Sequence, residues 1–565
     1  MNAERLLAHY ERIADAPDAI PRLRRFILDL AVRGKLVPQD SNNEPASQLL
    51  KRIAIEKARL DRRERAKEPR KSQTASAAAK VEVPSGWALA KLSELVAVIN
   101  GRAYSKNELL DAGTPVLRVG NLFTSDKWYY SDLHLDEDKY CNNGDLIFAW
   151  SASFGPFIWN GGRVIYHYHI WKLQLYSEAY LNKFYLYNFL LQKTREIKEA
   201  GHGVGMIHMT KEKMEQIEVS IPPLAEQHRI VAKVDELMVL CDRLETTRAK
   251  WEATRDQLTA ASLARLNEPD PDTFRDDARF ALDALPALAA RADQVKQLRQ
   301  TILNLAVRGK LVEQDVADEP ASELVRPMPN SAGRKAKQND RERPEEEEAD
   351  KPFVCPSGWT WTTVQHTLDG DREISYGVIK LGDEPKSGGV PTLRCSDVRP
   401  GFIDLSGVRR VQENIEAEYA RTRLSGGEVV INIRGTLGGV ALVPNALAGF
   451  NVAREVAVVP IASELFGRFI VYLMLSSYFW TEIQGNLRGI AYKGLNLGIL
   501  RNILIPLPPL AEQRRIVAKV DELMALCARL EASLTTTDDT RRRLLDALLA
   551  EALMPEDAFD REAAE

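Results

Sequence analysis

The 565 residues contain no apolar run long enough to cross a membrane and no signal-peptide pattern, so a soluble intracellular protein is expected. Cysteine is scarce: Cys141, Cys241, Cys355, Cys395 and Cys527 are scattered, with no Cys-x-x-Cys pair among them. Such usage fits a reducing cytoplasm. Charge of one sign is also missing. A net charge of −4 and a pI near 6.2 argue against a protein that coats a polyanion wholesale, though not against local basic clefts. There is no Gly-x-x-x-x-Gly-Lys-Ser/Thr phosphate loop and no Asn/Asp-Pro-Pro-Tyr/Phe motif of the kind that holds a flipped base for amino methylation. Gly201-His-Gly-Val-Gly205 has the wrong spacing for a nucleotide loop and reads as a mobile loop, matched by the glycine-rich stretch 485–489. Catalysis, if this protein serves any, is expected in partners.

What is present is repetition, which decides architecture before any local reading. The segment 222–245, beginning Pro222-Pro-Leu-Ala-Glu-Gln-His-Arg229, returns at 508–531 with 21 of 24 positions identical. A second repeat, Leu-Arg-x-x-Ile-Leu-x-Leu-Ala-Val-Arg-Gly-Lys-Leu-Val, lies at 23–37 and 298–312, and both copies run on into Glu-Pro-Ala-Ser at 44–47 and 319–322. Each copy is followed by a polar stretch (61–80, and 327–351 with its acidic run 345–348) that reads as linker. Both linkers end at Pro-Ser-Gly-Trp, 84–87 and 356–359. The long inserts that follow share only scraps, such as 113–118 with 389–394 and 144–149 with 427–432.

Short β-branched and aromatic runs between turn residues predict strands in both inserts, and 181–198 and 467–485 have helical spacing. The inserts are therefore α+β globules of one fold with different exposed loops. After each comes a Pro-Pro turn and a long helix. Ile230, Val234, Leu237, Cys241 and Leu244 step by 4, 3, 4, 3, and Ile516, Val520, Leu523, Cys527, Leu530 and Leu534 do likewise, which is a coiled-coil seam. Cys241 and Cys527 sit on that seam as buried thiols. The seam needs a partner, and the Leu-Ala-Val-Arg-Gly repeat is the obvious one. The middle of the chain holds helix 222–267 and then helix 281–310, while the termini hold the same pair split apart, helix 508–552 and helix 17–36. If the ends meet, the terminal pair rebuilds the central one. Helices of ~45 residues at ~1.5 Å rise reach ~65 Å, about two turns of duplex DNA.

Taken together, the duplicated helices, the Pro-Ser-Gly-Trp starts and the glycine-turn strand of each insert resemble the specificity subunit of a type I restriction–modification enzyme. The resemblance covers essentially the whole chain outside the linkers. It implies an α+β fold of two target recognition domains joined by two antiparallel coiled-coil helix pairs in a pseudo-twofold, circular arrangement. On this division 1–60 is an N-terminal helical segment, 61–83 a linker and 84–220 the first recognition domain. A central helix pair follows at 221–325, then a charged linker at 326–355, the second recognition domain at 356–506 and a C-terminal helix at 507–565. The implied partners are double-stranded DNA, two methyltransferase subunits and restriction/translocase subunits. S-adenosylmethionine, ATP and Mg²⁺ belong to those partners, and this chain carries no cofactor or metal. A stand-alone tandem DNA-binding protein is the alternative.

DNA contacts are expected in polar or glycine-rich loops, with Arg or Lys suited to guanine, Asn or Gln to adenine, and Lys, Arg, Ser and Thr to phosphate. In the first insert the candidates are Arg102, Tyr104, Ser105, Lys106, Arg118, Asn121, Ser151, Ser153, His202, His208 and Lys211. In the second they are Tyr376, Lys380, Arg394, Ser396, Asp397, Arg434, Thr436, Arg454, Arg488, Tyr492 and Lys493. Arg118 and Arg394, at matching places, suit a shared phosphate or structural role. His167 and His169, two apart on a predicted strand, face one way; without a third ligand they suit packing or DNA better than a metal. Trp87 and Trp359 read as core anchors. Glu226, Gln227, Arg229 and their copies Glu512, Gln513 and Arg515 are candidates for partner docking, with a helix-start role as the other reading.

Overall fold

The computed structural model describes residues 15–65, 83–151, 154–200, 209–270, 272–325, 351–370, 372–487 and 494–553. They fall into two compact units, 1–250 with 538–565, and 251–537. Each unit holds one insert, one copy of the Leu-Ala-Val-Arg-Gly helix, the first part of one long helix and the last part of the other.

The inserts have the same strand order. In the first, Val96–Asn100, Ile170–Leu175, Leu146–Ala149 and Gly155–Ile158 form one sheet in that order. In the second, Ser375–Tyr376, Val456–Val459, Val429–Asn432 and Val440–Leu442 do the same. Beside each lies a second sheet, of four strands in the first insert and three in the second, that contains a parallel pair: Thr114–Leu117 with Val164–Tyr166, and Val390–Leu393 with Asn451–Val452. The 113–118 and 389–394 scraps are thus the same central strand. A two-stranded ribbon closes each insert by pairing its first and last strands, Ala88–Lys91 with Glu218–Ile221 and Thr360–Thr363 with Leu504–Leu507. The helical stretches are Lys183–Ala200 in the first insert, and Gly467–Leu475 followed by Ser477–Leu487 in the second.

The long helices run over Leu224–Asn267 and Leu510–Leu553. Two antiparallel helix pairs are present, but their partners are not those expected from the order of the repeats. The seam residues Ile230, Val234, Leu237 and Cys241 share a core with Ile20, Ile27, Leu28 and Ala31 of helix Ala19–Val32. Arg24 bonds Asp242 at 2.5 Å and Glu245 at 2.8 Å, Arg248 bonds the Ala16 carbonyl and Arg229 bonds the Pro38 carbonyl, so numbers rise on one helix as they fall on the other. In the second unit, helix Ala292–Val307 lies the same way on the seam from Ile516 to Leu534, with Arg299 on Glu531 at 2.6 Å. The pairing expected from chain order exists only at the far ends. Leu298 meets Leu263 and Leu266, and Ala19 meets Leu545 and Leu548. There the helices run parallel: Asp15 pairs with Arg541 and Arg22 with Asp546, while Lys35 bonds the Leu553 carbonyl. Each Leu-Ala-Val-Arg-Gly helix gives most of its apolar residues to the heptad seam, while only Ala19 or Leu298 reaches the far end of the other long helix.

Candidate nucleic-acid interface

Four sequence repeats meet at one joint in each unit. Gly34 ends its helix with φ +69°, and a Cβ there would lie 2.7 Å from Pro84 and 3.0 Å from the Trp87 ring. Gly309, with φ +65°, faces Pro356 and Trp359 in the same manner. The Gly86 and Gly358 carbonyls accept from the Ala46 and Ala321 amides, each at 2.9 Å. The indole N–H of Trp87 donates to Glu226 at 3.0 Å, and that of Trp359 to Glu512 at 2.9 Å. Burial pushes both carboxyls above the usual carboxylate range. Gln227 and Gln513 donate to the Pro222 and Pro508 carbonyls and accept from the amides of Asn182 and Phe466. Trp87 and Trp359 are core anchors, as their sequence predicts. Each joint ties an insert to its helix, and each insert also carries exposed turns.

One such turn follows the parallel pair. In the first insert it is His167-Tyr168-His169, and in the second Ala453-Arg454-Glu455. Their sequences are unrelated, yet the backbone is held by the same five hydrogen bonds. The His167 amide donates to the Leu117 carbonyl at 2.9 Å, and Ala453 to Leu393 at 2.8 Å. Arg102 donates to Tyr166 as Val378 does to Val452; Tyr168 to Arg102 as Arg454 to Val378; Ile170 to His167 as Val456 to Ala453; and Trp150 to His169 as Ile433 to Glu455. Glycine precedes both anchor residues because a Cβ on Gly101 or Gly377 would sit 2.3 or 1.7 Å from a carbonyl oxygen of the turn strand.

Around the first turn the side chains are aromatic. The Tyr104 ring stacks 6.4 Å from His167, and the His167 and His169 rings are 4.9 Å apart. Trp150 lies 5.0 Å from His169 and donates its indole N–H to the Tyr168 carbonyl at 2.8 Å. His169 thus lies in the turn, whereas His167, bridged to Arg102, still continues the strand on which sequence placed both. Burial, aided by His169 and Arg118, pushes His167 down to about 4, so it is neutral at pH 7. Among the described residues no group of three His, Cys, Asp or Glu side chains is placed to hold a metal. Arg102 bonds Glu108 at 2.6 Å, which with the Ser105 amide holds that carboxyl down at about 2, and its guanidinium lies 5.3 Å over Tyr104. Burial pushes the Tyr104 hydroxyl up to about 12.

Arg102, Tyr104, Arg118 and Ser151 gather at this turn, and Arg394, Arg434 and Arg454 at the other. Lys106, Tyr376, Lys380 and Thr436 are exposed on neighbouring segments. Lys211 pairs with Glu215 on the short helix before the closing ribbon. Two candidates are corrected by their hydrogen bonds. Asn121 is used up locally, accepting from the Arg118 amide at 3.1 Å and donating to the Lys127 carbonyl at 2.9 Å. Asp397 is buried, and it ties down Ser396 at 2.7 Å and Arg394, whose guanidinium also reaches the Gly407 carbonyl. Arg118 instead lies exposed over Tyr129, so the two matching arginines share a backbone place but differ in their side-chain partners. Ser153, His202, His208, Arg488, Tyr492 and Lys493, with the Gly201–Gly205 run, lie outside the described residues.

A family model described as the type I restriction modification DNA specificity domain matches residues 84–251 and 378–536, more than half of the chain. The chain belongs to this family. The chain is 28% identical over 94% of its length to the type I restriction enzyme EcoAI specificity subunit of Escherichia coli, and covers 94% of that protein. To the EcoEI specificity subunit of the same species it is 26% identical, again over 94% of each. Among solved structures, the HsdS subunit from Thermoanaerobacter tengcongensis is 18% identical, with a TM-score of 0.40 over 84% of this chain and 98% of that one.

For this specificity-domain protein, four of the six docking candidates are also corrected. Glu226, Gln227, Glu512 and Gln513 are buried inside the joints, so they present nothing to a partner. Arg515 pairs with Asp318 at 2.6 Å and Arg229 reaches the Pro38 carbonyl, both within their own units. Sequence missed Tyr168 and Trp150 as members of the candidate interface, and gave His169 only as a packing or DNA residue with no counterpart in the second insert. Only the hydrogen-bond register, invisible in unlike sequences, aligns them with Arg454, Ile433 and Glu455.

Proposed function

We propose that this chain is the DNA sequence-specificity subunit of a type I restriction–modification complex, reading a bipartite site with one insert per half-site. The observation that carries the reading is the contrast within the molecule. Two inserts of one topology are mounted on near-identical joints, while matching exposed turns present unlike side chains. A frame that must stay constant and readers that must differ would be built this way. The long helices act as the spacer between half-sites and as the docking surface for two methyltransferase subunits, through which restriction/translocase subunits join.

Leu240 and Leu526 support the docking role. They hold the same repeat position, one in each unit, and are 44% and 40% exposed where their neighbours Cys241 and Cys527 are buried. A repeated exposed leucine suits two copies of one partner. The chain itself is a non-catalytic component, acting in the cytoplasm, with S-adenosylmethionine, ATP and Mg²⁺ held by its partners. No helix among the described residues is long and apolar enough to cross a membrane. The test is to incubate the purified chain with S-adenosylmethionine or Mg²⁺ and DNA, alone and with its methyltransferase subunits. Specific methylation only in the complex is expected. Turnover by the chain alone, or full sequence-specific binding without partners, contradicts the proposal.

A further inference from the structure

We propose that the three-residue turns 167–169 and 453–455 are the specificity-determining segments of the two inserts, with Tyr168 and Arg454 at the reading position. The inference rests on the specificity-subunit reading and deepens it by naming where the base identity is read.

A reading position must satisfy two demands at once. Its backbone must be placed identically in every domain of the fold, because the frame presents each domain to DNA in the same way. Its side chain must also be free to differ. The turn meets both. All five backbone hydrogen bonds that fix it are made by main-chain amides and carbonyls alone, so none constrains which side chain is carried. The residues that accept the chain change are drastic: His167 becomes Ala453, Tyr168 becomes Arg454 and His169 becomes Glu455. At the middle position both side chains are exposed, Tyr168 at 39%. Its flanks change as well, Arg102 against Val378 and Ser151 against Arg434. By contrast, Arg118 and Arg394 are one residue type at one place, which a discriminating position would not be.

The chemistry separates the two half-sites. Arg454 offers the paired donors that match guanine O6 and N7 in the major groove. The first turn, 167–169, carries no arginine or lysine. It presents a phenol between two imidazoles, suited to a face or methyl contact and a single hydrogen bond. The second half-site should therefore contain a guanine whose loss is felt strongly, and the first should depend on a weaker, shape-selective contact at the matching position.

The experiment uses the complete chain in complex with its methyltransferase subunits and maps methylated sites across a randomised DNA library. In one variant residues 167–169 are exchanged as H167A, Y168R and H169E. The first half-site should change at one or two adjacent positions, gaining a guanine, while the second half-site and the gap stay as they are. Because the exchange alters packing around Trp150, R454A and Y168A are measured beside it; both remove exposed tips and leave the backbone bonds in place. R454A should lose roughly 5- to 150-fold discrimination at one base pair. Uniform weakening over all sequences would make Arg454 a phosphate contact and overturn the proposal, as would unchanged discrimination in both single variants. Replacing residues 84–220 by another family member's insert is the control. If that replacement moves the half-site and the turn variants do not, the proposal fails while the specificity-subunit reading stands. If neither does, the reading itself fails.

Discussion

Replacing Gly309 by alanine should open the second joint by more than its backbone conformation alone demands. At φ +65° an alanine costs about 1–2 kcal/mol relative to glycine. Its Cβ would also lie 2.4 Å from Pro356 Cγ and 3.0 Å from the Trp359 ring. Neither ring can swing aside, because Trp359 is held through Glu512 and Pro356 leads into it. Forcing a methyl into such a contact adds about 1–3 kcal/mol, for a total near 2–5 kcal/mol. Gly388 supplies the control: its φ is +73°, yet nothing lies within 4 Å of a Cβ there, so G388A should cost only the backbone part. The chain divides into two compact units, for which one two-state transition cannot be assumed, so a single melting midpoint is the wrong readout. Hydrogen exchange by mass spectrometry, read on peptides covering 303–310 and 356–363, isolates the joint. G309A should speed exchange in those peptides and G388A should leave them alone. Equal effects of the two variants, or no effect at the joint, would refute the packing argument.

Trp87→Phe strips a buried carboxylate of its indole donor and should destabilise the first unit by about 1.5–3 kcal/mol at pH 7, read by the same exchange method on that unit. Since burial already raises the Glu226 pKa, stability tied to its protonated form is present at low pH and lost as pH rises, so the W87F defect should shrink as pH falls toward 4. His167 should titrate near 4 by NMR of the imidazole in the isolated chain. Its depressed value means stability present above its ordinary value of 6.5 and lost as pH falls through about 4; a titration at the ordinary value would show the turn is open to water. Leu240→Asp together with Leu526→Asp should reduce methyltransferase co-purification at least tenfold with the fold intact by circular dichroism; unchanged recovery would remove these leucines from the docking surface. Asn432→Ala removes three bonds to the carbonyls of Cys395, Val398 and Thr436 and should cost about 1–3 kcal/mol in the second insert, measured as faster exchange over 395–400.

The frame was legible in the sequence because its interactions are made by side chains that cannot be substituted: a glycine under a proline, a tryptophan on a glutamate, a heptad seam. Repetition exposed the seam and the positions of the glycines and tryptophans, while the contacts they make came from the structure. The helix partners were not legible, because each Leu-Ala-Val-Arg-Gly helix touches both long helices and chain order favours the wrong one. Glu226 and Gln227 misled for the opposite reason: charged letters at a helix start look exposed, and their burial depends on an insert folding back onto them. Of the reading turn, only Arg454 and the His167/His169 pair stood out in the sequence, and nothing there showed that they occupy the same place. Backbone hydrogen bonds place the turn, and they are indifferent to residue type.

A constant frame carrying two independent readers should allow one reader to be exchanged without disturbing the other. Residues 84–220 are replaced by the insert of another family member, and methylated sites are mapped by single-molecule sequencing in cells that also supply the methyltransferase. A change confined to one half-site, with the other half-site and the gap retained, is the predicted result. Retention of the original sites, or simultaneous change of both halves, would contradict it.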